Sequence, residues 1–293
     1  MISAVHQLLE SCVVKEILSF DETSTSVASD LSVGKALDYR NAFDLTGSVA
    51  VISGGSRGIG YESALALGSC GARVVLASRD QNALNAAVKR LVETGIDAAC
   101  AVVDVTDAIA VTKAADAIAT EHGKVDILVN SAGIARLNSA VETPDNEWRA
   151  VMDVNVNGLF WCCRAFGRHM IARRAGSIIN LGSMSGLIVN RPQTAASYMA
   201  SKGAVHMLTK ALATEWAKSG VRVNALAPGY VATDMTLKSR ERPELFNAWL
   251  DMTPMGRLGE PSEIASAVVC LASPASNFTT GAILSIDGGY TAW

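Results

Sequence analysis

No C-x-x-C pair occurs in the 293 residues, although six cysteines do: Cys12, Cys70, Cys100, Cys162, Cys163 and Cys270. Neither a zinc site of ordinary spacing nor a secreted disulfide framework can be built from such a set. The thiols are expected to be reduced and mostly buried, as in a cytoplasmic protein. The four histidines, His6, His122, His169 and His206, form no metal motif, and no metal is expected. Apolar runs such as Val74–Ala77 have the length of a strand and are too short to span a bilayer. An excess of positive charge is missing as well. The 25 Lys and Arg against 28 Asp and Glu leave a formal net charge of −3, which gives nucleic acid or an anionic membrane no electrostatic hold. Arg173-Arg174, the densest basic pair in mid-chain, reads as a solvated helix end. No internal repeat is visible.

What is present is a globular composition, 49% apolar and 18% charged, with material for a large core. Residues 1–40 stand apart. Leu8, Leu9, Val13 and Ile17 can share one face of a short helix, and a Ser/Thr-rich stretch follows over 19–32. Acidic residues there, among them Glu10, Glu16, Asp21 and Glu22, do not suit a mitochondrial transit peptide, and the apolar stretch makes a poor signal peptide. An accessory, poorly ordered extension is expected, ahead of a single domain over 41–293. From Ser48 onward apolar β-branched runs alternate with helical stretches. Strands are predicted at Val49–Ile52, Arg73–Ala77, Ala99–Val103, Val125–Val129, Ser177–Leu181, Val221–Leu226 and Ala282–Ile286. Helices are predicted at about Gly58–Ser69, Gln81–Thr94, Ala108–Glu121, Pro144–Arg173, Ser197–Ser219 and Pro261–Ala272. Strands that are apolar throughout are buried on both faces. Their alternation with helices makes an α/β fold, a doubly wound parallel sheet of about seven strands of the Rossmann type. Residues 230–260 break the rhythm with Pro243, Pro254 and two short helical stretches, and a segment so placed suits a substrate lid.

The first strand runs into Ser53-Gly54-Gly55-Ser56-Arg57-Gly58-Ile59-Gly60 and then into a helix. Glycines allow the tight turn and let a phosphate approach the backbone, and the helix points its first amides at a pyrophosphate. The predicted strand before the pattern and helix after it supply the context it needs. Other candidates for the cofactor also close strands. Asp104-Val105 follows the third strand, where the carboxylate can reach an adenine amine or, alternatively, cap the next helix. Asn130-Ser131-Ala132-Gly133 closes the fourth, where small residues leave room for the cofactor, and Pro228-Gly229-Tyr230-Val231-Ala232-Thr233 closes the sixth, where a nicotinamide carboxamide can be held.

Tyr198 and Lys202 lie four apart in a predicted helix and so share a face. A tyrosine is a poor base at neutral pH, but an adjacent ammonium and a positive nicotinamide ring would lower its pKa. Ser183, just beyond the fifth strand, can bind the reacting oxygen while Tyr198 exchanges the proton. Asn155, in the long helix before that strand, can hold a water that links Lys202 to solvent. Ser185 and Asn190, between Ser183 and Tyr198, can bind hydroxyls next to the reacting carbon, or serve as ordinary loop caps.

From about Leu45 to Trp293 these residues resemble the short-chain dehydrogenase/reductase family in its compact single-domain branch. The resemblance rests on the glycine turn, Asn130–Gly133, Asn155, Ser183, Tyr198 with Lys202, Pro228-Gly229 and Asp287-Gly288-Gly289. Ser53 stands where threonine is usual and Ser131 where a second asparagine is usual, and both keep hydrogen-bonding capacity. The resemblance implies hydride transfer between a nicotinamide cofactor and an alcohol or ketone. It also implies a tetrad of Asn155, Ser183, Tyr198 and Lys202, and a homotetramer. Ala36–Phe43, Gly182–Gln193 and Ala225–Gly256 are most similar to the family's bacterial polyol dehydrogenases. A 3-oxoacyl thioester reductase shares every motif, but the polar stretch with Asn190, Arg191, Gln193 and Thr194 suits a hydroxylated substrate better. A cofactor-binding protein without turnover is the remaining alternative, and the intact tetrad speaks against it. The polyol branch implies NAD. At the end of the second strand, however, Ser78 replaces the aspartate of NAD users, with Arg79 beside it and Arg57 in the glycine turn. Two guanidiniums without an opposing carboxylate favour the 2′-phosphate of NADP. Asp80 is placed to cap the helix that follows.

Overall fold

The computed structural model describes residues 38, 39 and 41–293. Of the N-terminal segment singled out above, residues 1–37 and 40 lie outside the described residues, and Tyr39–Trp293 form one unit. In chain order this unit contains β1 (Val49–Ser53), α1 (Gly58–Ser69), β2 (Arg73–Ser78), α2 (Gln81–Glu93), β3 (Ala98–Val102) and α3 (Ala108–His122). There follow β4 (Ile127–Asn130), α4 (Asp145–Met152), α5 (Leu159–Arg173), β5 (Gly176–Leu181) and α6 (Ala196–Trp216). The last elements are β6 (Val221–Pro228), α7 (Asp234–Arg240), α8 (Pro243–Asp251), α9 (Pro261–Ala272) and β7 (Ile283–Ile286).

All seven strands pair in parallel, in the order β3-β2-β1-β4-β5-β6-β7. The period-two alternation of a strand explains the two cores. Ile52, Leu76, Val129 and Leu226 meet Leu67, Leu84, Leu91 and Val268 of α1, α2 and α9 on one face. Val51, Val75, Leu128 and Ile178 meet Val111, Ile118, Phe166, Met170 and Leu212 of α3, α5 and α6 on the other. Asp80 and Asp107 cap α2 and α3, each accepting two backbone N–H bonds.

Two local expectations change. The long helix predicted over Pro144–Arg173 is interrupted by a π-helical turn, Asp153–Gly158, between α4 and α5. Gly158 lets Val105 press against this turn, where an added Cβ would lie 2.8 Å from Val105 Cγ2. Arg173-Arg174 is also more than a solvated helix end. Arg173 donates to Asp126 at 2.8 Å, and Arg174, at φ 54°, donates to the Lys218 carbonyl at 2.8 Å. The end of α5 is thereby tied to the start of β4 and to the turn after α6.

Candidate active site

The chain leaves β3 at one edge of the sheet and returns at β4 on the far side of β1, so a crevice opens where the winding reverses. The glycine turn after β1 and the Asn130–Gly133 loop after β4 meet there. Gly54 adopts φ 69°, and a Cβ on it would lie 2.7 Å from Ala132 N. A Cβ on Gly60 would strike the Gly54 carbonyl oxygen. Arg57 is the exposed N-cap of α1 and makes no side-chain cap bond, and no acidic residue lies in the first turn. The first amides of α1, around Gly58 and Ile59 beyond Ser56, therefore have no side-chain acceptor. Gly58 faces Thr233, whose Cγ2 lies 3.7 Å from where a Cβ would stand. That contact brings Pro228, Gly229, buried Val231 and Thr233 to the same crevice, with Thr233 forming the capping box of α7.

At the end of β2 the Ser78 hydroxyl is buried and has no hydrogen-bond partner. Arg79 is exposed but not unopposed, as its Nη1 lies 3.7 Å from Asp104 Oδ2. The expectation of two guanidiniums without a carboxylate is thus corrected at Arg79. Ser78 pairs with Val102, so the ends of β2 and β3 lie side by side and Asp104 falls within reach. Burial pushes the Asp104 carboxyl up, but the Thr106 N–H and hydroxyl, at 2.9 and 2.7 Å, and Arg79 together hold it below the usual carboxylate range. Val105 beside it is buried. Asn130, among the residues expected at the cofactor, closes β4 at this crevice. Its amide donates to Asn180 Oδ1 at 2.9 Å and to Cys163 Sγ at 3.2 Å, so its side chain serves the core.

Ser183, Tyr198 and Lys202 come together where β5 ends and α6 begins. Lys202 is 5% exposed, donates to the Leu181 carbonyl at 2.6 Å and lies 5.7 Å from the Tyr198 ring centroid. Burial without a carboxylate partner pulls its pKa down to about 8. Burial pushes the half-buried Tyr198 phenol up, against the lowering effect of a hydrogen bond with Ser183. The lowering expected from the sequence belongs to the ammonium acting together with a bound nicotinamide ring; here the Lys202 ammonium gives its short hydrogen bond to the Leu181 carbonyl. The Ser183 hydroxyl lies 3.0 Å from Ser185 Oγ and accepts the Ser185 N–H at 3.1 Å.

Asn155 sits in the π-turn. Its amide donates to the Ile134 carbonyl at 2.9 Å and to Ser201 Oγ at 3.0 Å, while Oδ1 accepts the Ile134 N–H at 2.9 Å. Both amide protons are thus engaged, and one lone pair of Oδ1 is left to meet a water. A Cβ on Gly133 would lie 3.5 Å from that oxygen and 3.8 Å from Lys202 Nζ, so both polar atoms converge on Gly133.

His206 and Trp249 carry no assignment from the sequence. His206, one turn beyond Lys202, is buried, and its Nε2 faces the Ser183 N–H at 3.5 Å. Burial, with Lys202 nearby, pulls its pKa to about 4, so the ring stays neutral. Its spacing of four from Lys202 was the available signal. Tyr230, Gln193 and Trp249 meet beside Asn190. Trp249 and Gln193 lie far apart in sequence with no motif to join them.

Among the described residues no helix is long and apolar enough to cross a membrane. A doubly wound sheet with an uncapped glycine turn at its reversal, next to a Ser–Tyr–Lys group whose serine and lysine are buried, defines a nicotinamide-dependent oxidoreductase. Residues 54–291 match the family model described as "Enoyl-(Acyl carrier protein) reductase". The chain is 63% identical over 257 residues to galactitol 2-dehydrogenase (L-tagatose-forming) of Cereibacter sphaeroides, covering 88% of this chain and 100% of that protein. It is 46% identical to galactitol 2-dehydrogenase of Rhizobium johnstonii, over 88% of this chain and 100% of that one. The crystal structure of a gluconate 5-dehydrogenase from Burkholderia cenocepacia, in complex with NADP and tartrate, aligns with a TM-score of 0.82 at 39% identity, over 86% of this chain and 98% of that one. The chain belongs to the short-chain dehydrogenase/reductase family, as its motifs led us to expect, and is a hydride-transferring oxidoreductase.

Proposed function

We propose that this chain interconverts a polyol and its ketose, with NADP preferred over NAD and Tyr198 as the acid and base. The observation that carries the reading is the group of Ser183, Tyr198 and Lys202, in which Ser183 and Lys202 are buried and, among the described residues, the ammonium meets the Leu181 carbonyl and lies beside the Tyr198 ring. Identity of 63% to a galactitol 2-dehydrogenase supports a hydroxylated secondary alcohol as substrate. So do polar Ser185, 3.0 Å from the Ser183 hydroxyl, and Asn190 and Gln193, which both donate to the Tyr230 hydroxyl.

The residues present fit a nicotinamide dinucleotide. The uncapped first turn of α1 offers amides to a diphosphate, and the close approach at Gly54 and Gly60 keeps side chains out of that turn. Ser78 is small, neutral and unpartnered at the end of β2, followed by Arg79, which Asp104 opposes at 3.7 Å, and Arg57 stands exposed in the glycine turn. A structural relative holds NADP. Ala132 and Gly133 on one side, and Pro228, Gly229, Val231 and Thr233 on the other, are assigned to the nicotinamide half.

When bound, the nicotinamide accepts or supplies the hydride. The chain handles the proton. Ser183, steadied by Ser185, binds the substrate oxygen, and Tyr198 removes its proton in oxidation and returns it in reduction. The Lys202 ammonium favours the phenolate. Asn155 anchors the loop after β4 through both backbone groups of Ile134 and offers its remaining lone pair to a water beside Lys202. Residues 41–293 form the catalytic domain, α7 and α8 its lid. Exposed Met207 and Trp293 support assembly, which we assign as a cytoplasmic homotetramer. Light scattering that gives a monomer at micromolar concentration would remove the assembly.

Initial rates with galactitol, gluconate, 2-butanol and a 3-oxoacyl thioester, each with both cofactors, test the reading. Galactitol with NADP is expected to lead. Faster turnover of the thioester would overturn the substrate class.

A further inference from the structure

The helix that carries the acid/base also touches the turn that carries Ser183, through a side chain the mechanism above does not use. Tyr198, Lys202 and His206 recur every fourth residue of α6 and so form one stripe along it. His206 is 5% exposed, and its ring lies against both ends of the turn 182–186. A Cβ on Gly182 would strike His206 Nε2. A Cβ on Gly186 would lie 2.7 Å from His206 Cε1 and 2.6 Å from the Lys202 carbonyl oxygen. Glycine at both positions lets the backbone close on the ring. The turn is closed on itself as well, since the Ser183 carbonyl accepts the Gly186 N–H at 2.9 Å, and the Leu226 carbonyl of β6 accepts the Gly182 N–H at 2.8 Å. The turn is thus held at Leu226 of β6 and at His206 of α6. His206 Nε2 faces the Ser183 N–H at 3.5 Å. That contact is long, so packing does more of the holding than the bond. The ring is neutral, and a neutral ring can turn a lone pair to that N–H where a protonated one cannot.

We propose that His206 is a positioning residue whose ring holds the Ser183 turn against α6, so that the Ser183 hydroxyl and the Tyr198 phenol keep the spacing needed to meet one substrate oxygen. The two hydroxyl groups belong to different elements, a turn after β5 and the first turn of α6. Both must reach the same atom, and a misplacement of about 1 Å can cost about a hundredfold in rate. Ser185 steadies the Ser183 oxygen from within the turn, which sets the direction of the hydroxyl but not the distance of the turn from α6. The ring sets that distance, because it stands on the same helix as Tyr198 and fits between the two glycines. His206 touches neither substrate nor cofactor, and it acts through Ser183.

The proposal rests on the reading that Ser183 binds the reacting oxygen, and the test separates the two. The readouts are the single-turnover rate with the fastest substrate of the panel above, dinucleotide affinity by fluorescence titration, and a thermal melt for each variant. Enzyme in excess keeps the slow variants measurable. His206→Ala empties the space beside Gly182 and Gly186 and should lower the rate about tenfold or more, with dinucleotide affinity changed less than about twofold. His206→Gln returns bulk and an acceptor and should recover most of the loss. If the alanine variant melts below the assay temperature, His206→Asn, smaller than the ring but polar, takes its place. The Ser183→Ala background tells a positioning role from a merely structural one. There the same change at His206 should lower the rate by less than about twofold further, because the hydroxyl it positions is gone. The full loss in that background would overturn the proposal, as would a wild-type rate for the stripped variant or a His206→Gln enzyme no better than it. A Ser183→Ala enzyme of unchanged rate would instead overturn the role of Ser183, and with it the reading beneath the proposal.

Discussion

Lys202→Met should make the protein more stable while destroying its activity. The wild-type ammonium is 5% exposed and faces no carboxylate, and burial brings its pKa from 10.5 to about 8. That displacement corresponds to roughly 3 kcal/mol against the charged form. Methionine removes this cost but leaves the Leu181 carbonyl, now 2.6 Å from the ammonium, without its donor. An abandoned buried acceptor costs about 1–2 kcal/mol. The net gain near neutral pH is then about 1–2 kcal/mol, a rise in Tm of roughly 2–8 °C for a chain of this size. The pH dependence fixes the cause. Between about pH 8 and 10.5 the unfolded lysine still holds a proton that the folded one has released, so wild-type stability rises with pH in that window. The advantage of methionine should shrink accordingly. Thermal melts by circular dichroism, near neutral pH and near pH 10, measure both. A lower Tm for the variant near neutral pH, or a gap that ignores pH, would refute the reasoning.

Tyr198→Phe should cut turnover by about a hundredfold or more and leave dinucleotide affinity nearly intact, as followed by fluorescence titration. Near-normal turnover would show that another group moves the proton. Ser78→Asp should lower the preference for NADP over NAD by about tenfold, by setting a carboxylate against the 2′-phosphate. A wild-type preference for NAD that the aspartate leaves unaltered would make Arg57 and Arg79 ordinary surface residues. Asn155→Ala removes three hydrogen bonds and strands both backbone groups of Ile134, at a cost of about 2–4 kcal/mol. Urea unfolding with an unchanged midpoint would contradict that anchoring role.

The parallel sheet was legible because its strands are apolar on both faces, and the glycine turn was legible because strand and helix flank it. Tyr198 and Lys202 could be paired from helical spacing alone. The rest was hidden for physical reasons. Periodicity cannot register a single extra residue inside a helix, so the π-turn at Asp153–Gly158 was read as plain helix. Asn130 closes a strand as the expected cofactor ligands do. Only the structure shows its amide turned toward Asn180 and Cys163. The Arg79–Asp104 pair depends on the register of β2 against β3, which no local pattern encodes. Spacing puts Lys202 on the same face as Tyr198 but is silent on where its ammonium is aimed, which is the Leu181 carbonyl.

The π-turn has a consequence for how this protein can change length. It stores one residue more than a regular helix needs, and each helical residue turns the axis by about 100°. A one-residue deletion within 153–158 would therefore act as a screw rather than a shortening. The turn would relax into ordinary helix, and α4 would rotate about its axis by roughly that angle relative to α5. Glu147, which receives the Asn138 amide at 2.7 Å, would leave the loop after β4, while the sheet and its helices on the far face would stand unchanged.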